Sequence, residues 1–459
     1  MNTPAAGTPA ALEAARGLFL EGVARFEAGH AAEAAERFES ALALAPGRVS
    51  VLINLGAARL KLGQREAALQ ALDTALAAEP QHADAWTHRG LAAGELGRHA
   101  EALGNFERAL ALDPGSGVAQ FYRALCLGHL QRHAEALAAL ERLLQHQPQR
   151  APAWMLHGQT LQQLQRHAEA LPSYRRAVAV DPTLGAAWSH LGQLLKDLGR
   201  RDEAAAALRR AIDEGDDADT NRYFLAALGT EAAPSVAPRA YVQALFDGYA
   251  DDFEPHLVQV LRYRAHEDVA ADALAAWQAG QPAGAAPGWV IDLGCGTGLC
   301  GARLKPPAQH LEGVDLSHTM VEAARRRGVY DTLAQADITE HLLAGARHYD
   351  IAVAADTFIY LGDLGPVFAG VRHALRPGGV LAFSAEIAAA PEDGAEPPDY
   401  RLDSHMRYAH SEPYLRRLAA AHGFAVVNLV RRVLREEQRR PVMGWIVALR
   451  IEMAAKAEQ

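Results

Sequence analysis

Residues 289–298 read WVIDLGCGTG and decide the fold of the region around them. The first five letters are a short apolar, β-branched run, which is typical of a buried strand. Glycines follow at 294, 296 and 298, and a helical pattern covers residues 299–304. Strand, glycine-rich turn and helix predict the first unit of a doubly wound α/β fold, in which the backbone of the turn touches a ligand that a Cβ atom would keep away.

Further strands with acidic residues near their ends follow toward the C-terminus. A second strand, 310–314, is followed by Asp315, which is placed to accept hydrogen bonds from ribose hydroxyls. Asp337 has the spacing of a third strand end, where an adenine amino group is read. The remaining predicted strands are 349–354 before Asp356, 380–384 after the turn RPGG, 425–434 and 442–451.

Five motifs in this order, DLGCGTG, EGVDLS, QADI, DTFIYLGDL and LRPGG, resemble the class I S-adenosylmethionine-dependent methyltransferases over about residues 240–455. The resemblance implies a Rossmann-like α/β domain with a seven-stranded sheet, its last strand antiparallel, and S-adenosylmethionine as the cofactor. A dehydrogenase-type dinucleotide site is the alternative. It is disfavoured because Leu299 stands where that fingerprint has its third glycine.

The resemblance also implies roles for single residues. Asp292 should lie near the methionine ammonium of the cofactor, Asp315 at the ribose and Asp337 at the adenine. Tyr249, in a lid-like segment 245–253, either lines the site or only packs with Phe246 and Phe253. Besides Tyr249, the predicted cofactor-binding residues are Asp292, Gly294, Cys295, Gly296, Gly298, Asp315, Leu316, Ala336, Asp337 and Ile338.

Methyl transfer needs an oriented acceptor and sometimes a base, but no metal. We expect the acceptor side to come from the segments after the fourth and fifth strands, where a long irregular loop covers 388–403. The predicted catalytic residues are Asp356, Tyr408 and His410. The alternative is that Ser411 caps the next helix and the nearby histidines are surface residues. Five arginines between 431 and 440 are expected to be solvated on an edge strand.

The first half of the chain repeats every 34 residues. Each unit has two helix-length apolar patterns, a small residue on the first, an alanine and a large apolar residue on the second, and a proline that ends it. The prolines are Pro46, Pro80, Pro114, Pro148 and Pro182. The small residues are Gly22, Gly56, Gly90, Ala124, Gly158 and Gly192. Six units over about 15–218 resemble tetratricopeptide (TPR) repeats, with a capping helix to residue 228.

The TPR resemblance implies an all-α solenoid whose concave face holds a peptide segment. The inward positions of the first helices include Phe19, Ile53 and Phe121, with Leu20 and Tyr122 beside them, so we expect an apolar, aromatic groove. The expected partner is a protein or peptide, which is also a candidate for the methyl acceptor. The alternative is a rigid spacer or a dimerisation surface.

Composition limits the function classes. A net charge of -10 and a pI near 6.1 argue against nucleic acid as a partner. Three cysteines without metal-ligand spacing fit a reducing cytoplasm, and no apolar run is long enough to span a membrane. The predicted domains are 15–228 and 241–455, joined by a linker at 229–240; the oligomeric state stays open.

Three functions remain open from the sequence. The first is a methyltransferase whose repeats recruit a protein, peptide or carrier-bound substrate. The second is a small-molecule O- or N-methyltransferase whose repeats serve assembly. The third is a non-catalytic scaffold with a cofactor-binding domain, which the intact glycine loop and acidic residues disfavour.

Overall fold

The computed structural model describes residues 8–247, 257, 260–389, 396–437 and 440–452. The chain divides into two compact units, Met1–Asp216 and Asp217–Gln459. In the part of the chain that the structure describes, no helix has both the length and the apolar character needed to cross a membrane.

The described part of the first unit contains twelve helices in antiparallel pairs, two to each predicted repeat. They are α1 (Pro9–Glu27), α2 (Ala31–Leu44), α3 (Val49–Lys61), α4 (Arg65–Ala78), α5 (Ala83–Glu95), α6 (His99–Leu112), α7 (Gly117–His129), α8 (His133–His146), α9 (Ala151–Gln163), α10 (His167–Val180), α11 (Gly185–Asp197) and α12 (Arg201–Asp213). The predicted 34-residue register is confirmed at every repeat.

The glycine that recurs in the first helix of every repeat but the fourth, which has Ala124, makes room for the large residue of the second helix. A Cβ atom on Gly90 would lie 2.7 Å from the ring of Phe106, and one on Gly158 would lie 2.8 Å from the ring of Tyr174. Phe106 and Tyr174 are fully buried against these glycines. The small residue is therefore required by direct packing of a ring on the helix backbone.

A hydrogen bond joins the first helix of several repeats to the proline turn before it. The indole nitrogens of Trp86, Trp154 and Trp188 donate to the carbonyl oxygens of Pro80, Pro148 and Pro182 at 2.8–2.9 Å. In the fourth repeat Gln120 Nε2 donates to Pro114 O at 2.7 Å instead. These turn bonds fix where each helix begins relative to the preceding proline.

The second unit is built on a nine-stranded sheet within the described residues. The strands are β1 (Trp289–Leu293), β2 (His310–Asp315), β3 (Thr332–Gln335), β4 (Tyr349–Ala354), β5 (Leu375–Ile387), β6 (Tyr400–Leu402), β7 (Tyr408–His410), β8 (Phe424–Glu437) and β9 (Arg440–Ile451). Strands β3, β2, β1, β4 and β5 are parallel neighbours in that order. Strand β9 pairs antiparallel with β5, and β8 with β9. These seven strands form the predicted sheet with its last strand antiparallel.

Strands β6 and β7 are additions that we did not predict. They form a short antiparallel hairpin, and β7 pairs with the end of β5 at Glu386 and Ile387. We expected an irregular loop from 388 to 403. The described part of that loop instead ends in regular backbone pairing, which fixes the positions of residues 400–410.

Helices cover both faces of the sheet, because the strands of a parallel sheet are buried on both sides. Val290, Ile351 and Val380 point to one face and pack under α15 (Ala265–Gln278). Ile291 and Phe383 point to the other face. That face is covered by α18 (Ile338–Ala344), α19 (Gly365–Ala374) and α20 (Glu412–Ala421), while α16 (Leu299–Leu304) and α17 (His318–Arg327) follow β1 and β2.

The boundary between the units lies before the one that we predicted. Helix α13 (Ala218–Ala227), which we expected to cap the repeats, is grouped with the second unit. The reason is Tyr223, which is fully buried, donates its hydroxyl to Met406 O at 2.8 Å and packs its ring near Tyr408.

The predicted linker also carries tertiary hydrogen bonds. Ser235 O accepts from the backbone N–H groups of Gly362 and Asp363 at 2.9 Å, and Ala237 N donates to Tyr360 O at 2.9 Å. Helix α14 (Arg239–Asp247) follows directly. Residues 234–237 are thus an ordered strap of the second unit rather than a free connection.

Candidate active site

A cavity of the second unit opens where β1, β2 and β4 end, the edge at which parallel α/β sheets bind ligands. Of the predicted site residues, ten line it: Asp292, Gly294, Cys295, Gly296, Asp315, Leu316, Ala336, Asp337, Ile338 and Asp356. Tyr249 lies outside the described residues. Val236 and Ala237 of the strap also line the cavity, a role that nothing in their sequence indicates.

The three loop glycines are left-handed for different physical reasons. Gly294, at φ 71°, packs against the Thr357 side chain, which a Cβ atom would strike. Gly298, at φ 92°, abuts Tyr330 and Arg327. Gly296, at φ 51°, has no atom of the described residues within 4 Å of its Cβ position. The expected open approach to a ligand therefore applies to Gly296, whereas Gly294 and Gly298 serve packing.

The two carboxylate oxygens of Asp292 differ in their surroundings. The residue is 1% exposed, and its Oδ2 accepts a hydrogen bond from the Tyr330 hydroxyl at 2.7 Å. Its Oδ1 is buried and has no hydrogen-bond partner among the residues that the structure describes. Burial raises the pKa of Asp292 to about 7. An unsatisfied buried carboxylate oxygen at a cavity fits a ligand that brings a cationic donor, as the cofactor's ammonium group does.

Asp315 is held in place by the two loops that meet at the cavity. Its Oδ2 accepts from Gly296 N at 2.8 Å and its Oδ1 from Ser317 N at 2.9 Å. Burial raises the pKa of Asp315. A carboxylate accepts about four hydrogen bonds, so the oxygens retain capacity for ribose hydroxyls.

Asp337 has a structural role besides the predicted one. Its Oδ1 caps α18 by accepting from Thr339 N and Glu340 N at 2.9 and 3.1 Å. Its Oδ2 lies 3.3 Å from Arg239 Nη2 of α14. The carboxylate thus ties α14 to the edge of the cavity where the adenine is expected.

A buried charge cluster forms another part of the cavity wall. Arg435 is 2% exposed; its guanidinium donates to Asp356 Oδ2 at 3.1 Å, to Glu437 Oε1 at 2.8 Å and to Glu386. Asp356 itself has a left-handed backbone, φ 54°, and bonds Ser384. Such strain in a non-glycine residue is characteristic of functional sites. Our expectation that all five arginines of 431–440 are solvated was wrong at Arg435.

Arg407 and Tyr360 complete this wall. Arg407 Nη1 bonds Glu437 and lies 3.7 Å from Glu386 Oε1. Burial raises the pKa of Tyr360, whose hydroxyl shares a hydrogen bond with Arg407. The tyrosine therefore stays protonated and remains able to donate a hydrogen bond.

The structure does not bring His410 or Tyr408 to the cavity. His410 is fully buried, and its Nε2 faces Leu361 O and Gly362 O at 2.9 and 3.1 Å. Burial lowers the pKa of His410 to about 4, so the ring is neutral and Nε2–H donates. The Tyr408 hydroxyl donates to Pro234 O at 2.6 Å. Both hold the hairpin against neighbouring loops, so we assign them no catalytic role.

Sequence profiles of two families match the chain. The "Methyltransferase domain" profile matches residues 290–379. "Tetratricopeptide repeat" profiles match residues 25–91, 95–160 and 155–219. The first match includes Asp292, Asp315 and Asp337 and ends before Glu386, Arg407 and Arg435.

Curated relatives match only part of their length. Malonyl-[acyl-carrier protein] O-methyltransferase of Geobacter sulfurreducens is 35% identical over 106 residues, 22% of this chain and 39% of that protein. Ribosomal protein L11 methyltransferase of Pseudomonas putida is 34% identical over 121 residues, 25% of this chain and 40% of that protein. The chain spans less than half the length of these relatives.

Among solved structures, the 1,6-didemethyltoxoflavin-N1-methyltransferase of Burkholderia thailandensis is 21% identical. The alignment covers 48% of this chain and 93% of that chain, with a TM-score of 0.37. The cofactor of this domain is S-adenosylmethionine, and the open Asp292 oxygen, Asp315 and the bare Gly296 backbone fit it. The chain combines tetratricopeptide repeats with a class I S-adenosylmethionine-dependent methyltransferase domain.

Proposed function

We propose that the protein transfers the methyl group of S-adenosylmethionine to an acceptor that its repeats recruit. Oδ1 of Asp292, which has no partner within the described parts of the chain, carries the cofactor part of this proposal, because burying a carboxylate oxygen without a donor is costly. The cofactor supplies a methyl group already activated by its sulfonium. The residues of this chain have to bind the cofactor and the acceptor, orient them and exclude water.

On the acceptor side, we propose that Tyr360 and Arg407 contact the substrate. Both line the cavity and both present N–H or O–H donors. Arg435 and its three carboxylates position this wall rather than bind, because the guanidinium is already bonded on three sides. The acceptor is therefore a polar group that accepts hydrogen bonds while its reactive atom faces the cofactor.

The first test is binding of S-adenosylhomocysteine, measured by calorimetry. Gly296→Asn places a side chain in the open space of the cavity, and asparagine tolerates the left-handed backbone. We expect at least tenfold weaker binding with the fold retained. Gly328→Asn is the matched control, since Gly328 is also left-handed, also has open space and does not line the cavity. Equal binding by both variants would mean that the ligand lies elsewhere.

The repeats offer a surface for the acceptor-bearing partner. A second cavity, within the first unit, is lined by side chains of first helices, among them Leu60, Leu91, Tyr122 and Leu125. Tyr122 belongs to the groove that the sequence predicts. We propose that an apolar stretch of a protein, peptide or carrier protein binds along this surface, as TPR repeats allow.

Transfer of labelled methyl groups in a lysate tests the recruitment. We expect label in the macromolecular fraction, and we expect Leu125→Glu to reduce it while S-adenosylhomocysteine binding stays unchanged. Leu112→Glu, at an exposed helix end outside the cavity, is the control. Label confined to small molecules would favour a small-molecule methyltransferase whose repeats serve assembly.

A further inference from the structure

Tyr330 occupies the space beneath the glycine loop. Its ring is half-buried, and Cβ atoms on Gly298 and Gly313 would lie 3.0 and 2.9 Å from ring carbons. A Cβ atom on Gly301 would lie 2.5 Å from Tyr330 Cζ. Three glycines, one each in the glycine loop, α16 and β2, thus leave room for one side chain. The ring is therefore part of the support of the loop.

The Tyr330 hydroxyl ends at the carboxylate that faces the cavity. It donates to Asp292 Oδ2 at 2.7 Å, while Oδ1 of the same carboxylate has no hydrogen-bond partner among the described residues, and Asp292 is one of the residues that line the cavity. Tyr330 itself does not line the cavity, so its hydroxyl can influence a ligand there only through Asp292. With one oxygen fixed, rotation of the carboxylate about its last torsion is restricted.

We infer that Tyr330 is a positioning residue whose hydroxyl holds Asp292 so that Oδ1 faces the ammonium group of the cofactor. This inference rests on the proposed function, because it takes the cavity to be the cofactor site. Tyr330 lies in none of the five sequence motifs, and its spacing from the glycine loop does not indicate a role at the site.

The surroundings of Asp292 give the hydroxyl a second effect. Burial raises the pKa of Asp292, the Tyr330 hydroxyl and the Gly301 N–H lower it, and Asp315 raises it. Cys295 and Cys300 lie nearby as buried thiols. Only the ionised carboxylate attracts the ammonium, so loss of the hydroxyl should weaken binding most where Asp292 is partly protonated.

The test is Tyr330→Phe in the full chain, which keeps the ring and removes the hydrogen bond. S-adenosylhomocysteine affinity is measured by calorimetry from pH 6.5 to 8.5. Loss of a hydrogen bond of typical strength raises the pKa of the Asp292 carboxyl group by about one unit. We therefore expect roughly five- to tenfold weaker binding than the unsubstituted protein at pH 6.5, and binding within about twofold at pH 8.5.

Tyr349→Phe is the matched control. Tyr349 is a buried tyrosine whose hydroxyl also donates to a carboxylate, Glu312 Oε2 at 3.0 Å, but neither residue lines the cavity. It should leave the pH profile unchanged. Adding Tyr330→Phe to Asp292→Asn should have no further effect on affinity, because the carboxylate through which the hydroxyl acts is already absent.

Two results would overturn the inference. One is a Tyr330→Phe profile that is unchanged, and the other is an equal loss at every pH, which indicates a purely structural role for the side chain. Absence of S-adenosylhomocysteine binding in the unsubstituted protein would instead contradict the proposed function. The two failures are thus distinguishable in the same titration.

Discussion

At the residue scale, Asp292 shows how a binding group is kept ready at the expense of stability. A carboxylate whose pKa is raised to about 7 in the folded chain binds its proton more tightly than in the unfolded chain. Stability from this residue is therefore present at low pH and is lost as the pH rises between the unfolded value, 3.8, and about 7. Above that range the free protein holds an unfavourable buried charge.

Asp292→Asn should consequently stabilise the protein without ligand at pH 8, by roughly 2 kcal/mol, and have little effect at pH 4. At the same time it should weaken S-adenosylhomocysteine binding. Thermal unfolding at the two pH values measures the first effect. Asp331→Asn is the contrast: Lys305 lowers the pKa of Asp331, so its loss should destabilise at pH 8. A stabilisation of the Asp292 variant that does not depend on pH would contradict the account.

Single residues also show how far the sequence predicts the site. Asp315 is predicted from its position at a strand end and Asp292 from the methyltransferase resemblance, and both line the cavity. Tyr330 and Arg435 could not be predicted in the same way. Their roles depend on partners 38 and 79 residues away in the chain, Asp292 and Asp356, which only the folded sheet brings close.

At the element scale, the charge cluster connects β5, β8 and the loop after β4. Arg435→Met would leave Asp356 without this cation, and Glu386 and Glu437 with Arg407 alone. We expect a loss of about 3–5 kcal/mol at pH 7, measured by urea unfolding. Arg432→Met on the same strand is the control, because Arg432 is exposed and has one partner, Asp268; its cost should stay below about 1 kcal/mol.

The cost of Arg435→Met should shrink in acid. Although burial opposes it, hydrogen bonds from Arg435 and Arg407 lower the pKa of Glu437 to about 2. The stability that this carboxylate provides is present above its unfolded value, 4.5, and is lost as the pH falls from there toward about 2. A pH-independent cost would mean that packing of the long side chain, rather than charge, dominates.

The turns between the helices of each repeat allow a stabilising change. The left-handed position is glycine in four repeats, Gly29, Gly63, Gly97 and Gly199, but it is Gln131 and Gln165 in the other two. A non-glycine residue in this left-handed conformation is strained by about 1–2 kcal/mol. Glycine removes this strain, but part of the gain is offset because glycine loses more conformational entropy on folding. Gln131→Gly and Gln165→Gly should each stabilise the protein by about 0.5–1 kcal/mol.

Thermal unfolding measures this gain. Gln64→Gly, at a position with φ -87°, is the control and should not stabilise the protein.

The helices of the repeats and the β6–β7 hairpin differ in how far the sequence predicts them. The repeat pattern predicts every helix, whereas the β6–β7 hairpin has strands of three residues, too short to show an alternation of apolar and polar residues.

At the scale of the whole molecule, two separate cores imply two unfolding events. S-adenosylhomocysteine should raise the unfolding temperature of the unit Asp217–Gln459, because the free energy of binding adds to its stability. The unfolding temperature of the other unit should stay unchanged. Scanning calorimetry with and without the ligand measures this. Gly158→Val should lower only the transition of the repeats, since its side chain meets Tyr174. One shared transition would contradict the prediction.

Both units were predictable because each depends on patterns that recur along the chain: a 34-residue period in one, alternating strands and helices in the other. Their boundary was not. Helix α13 has a helical sequence that fits either unit, and only the burial of Tyr223 against the second unit decides its place.

The tryptophan and glutamine side chains that bond to proline carbonyls have a consequence for how such a chain can change over time. Each bond spans six residues of sequence across a helix start. An insertion or deletion of a few residues inside that span would break the bond and turn the following helix away from its neighbours. Duplication or loss of a complete repeat would preserve every bond. The length of this array is therefore expected to change in whole steps of 34 residues.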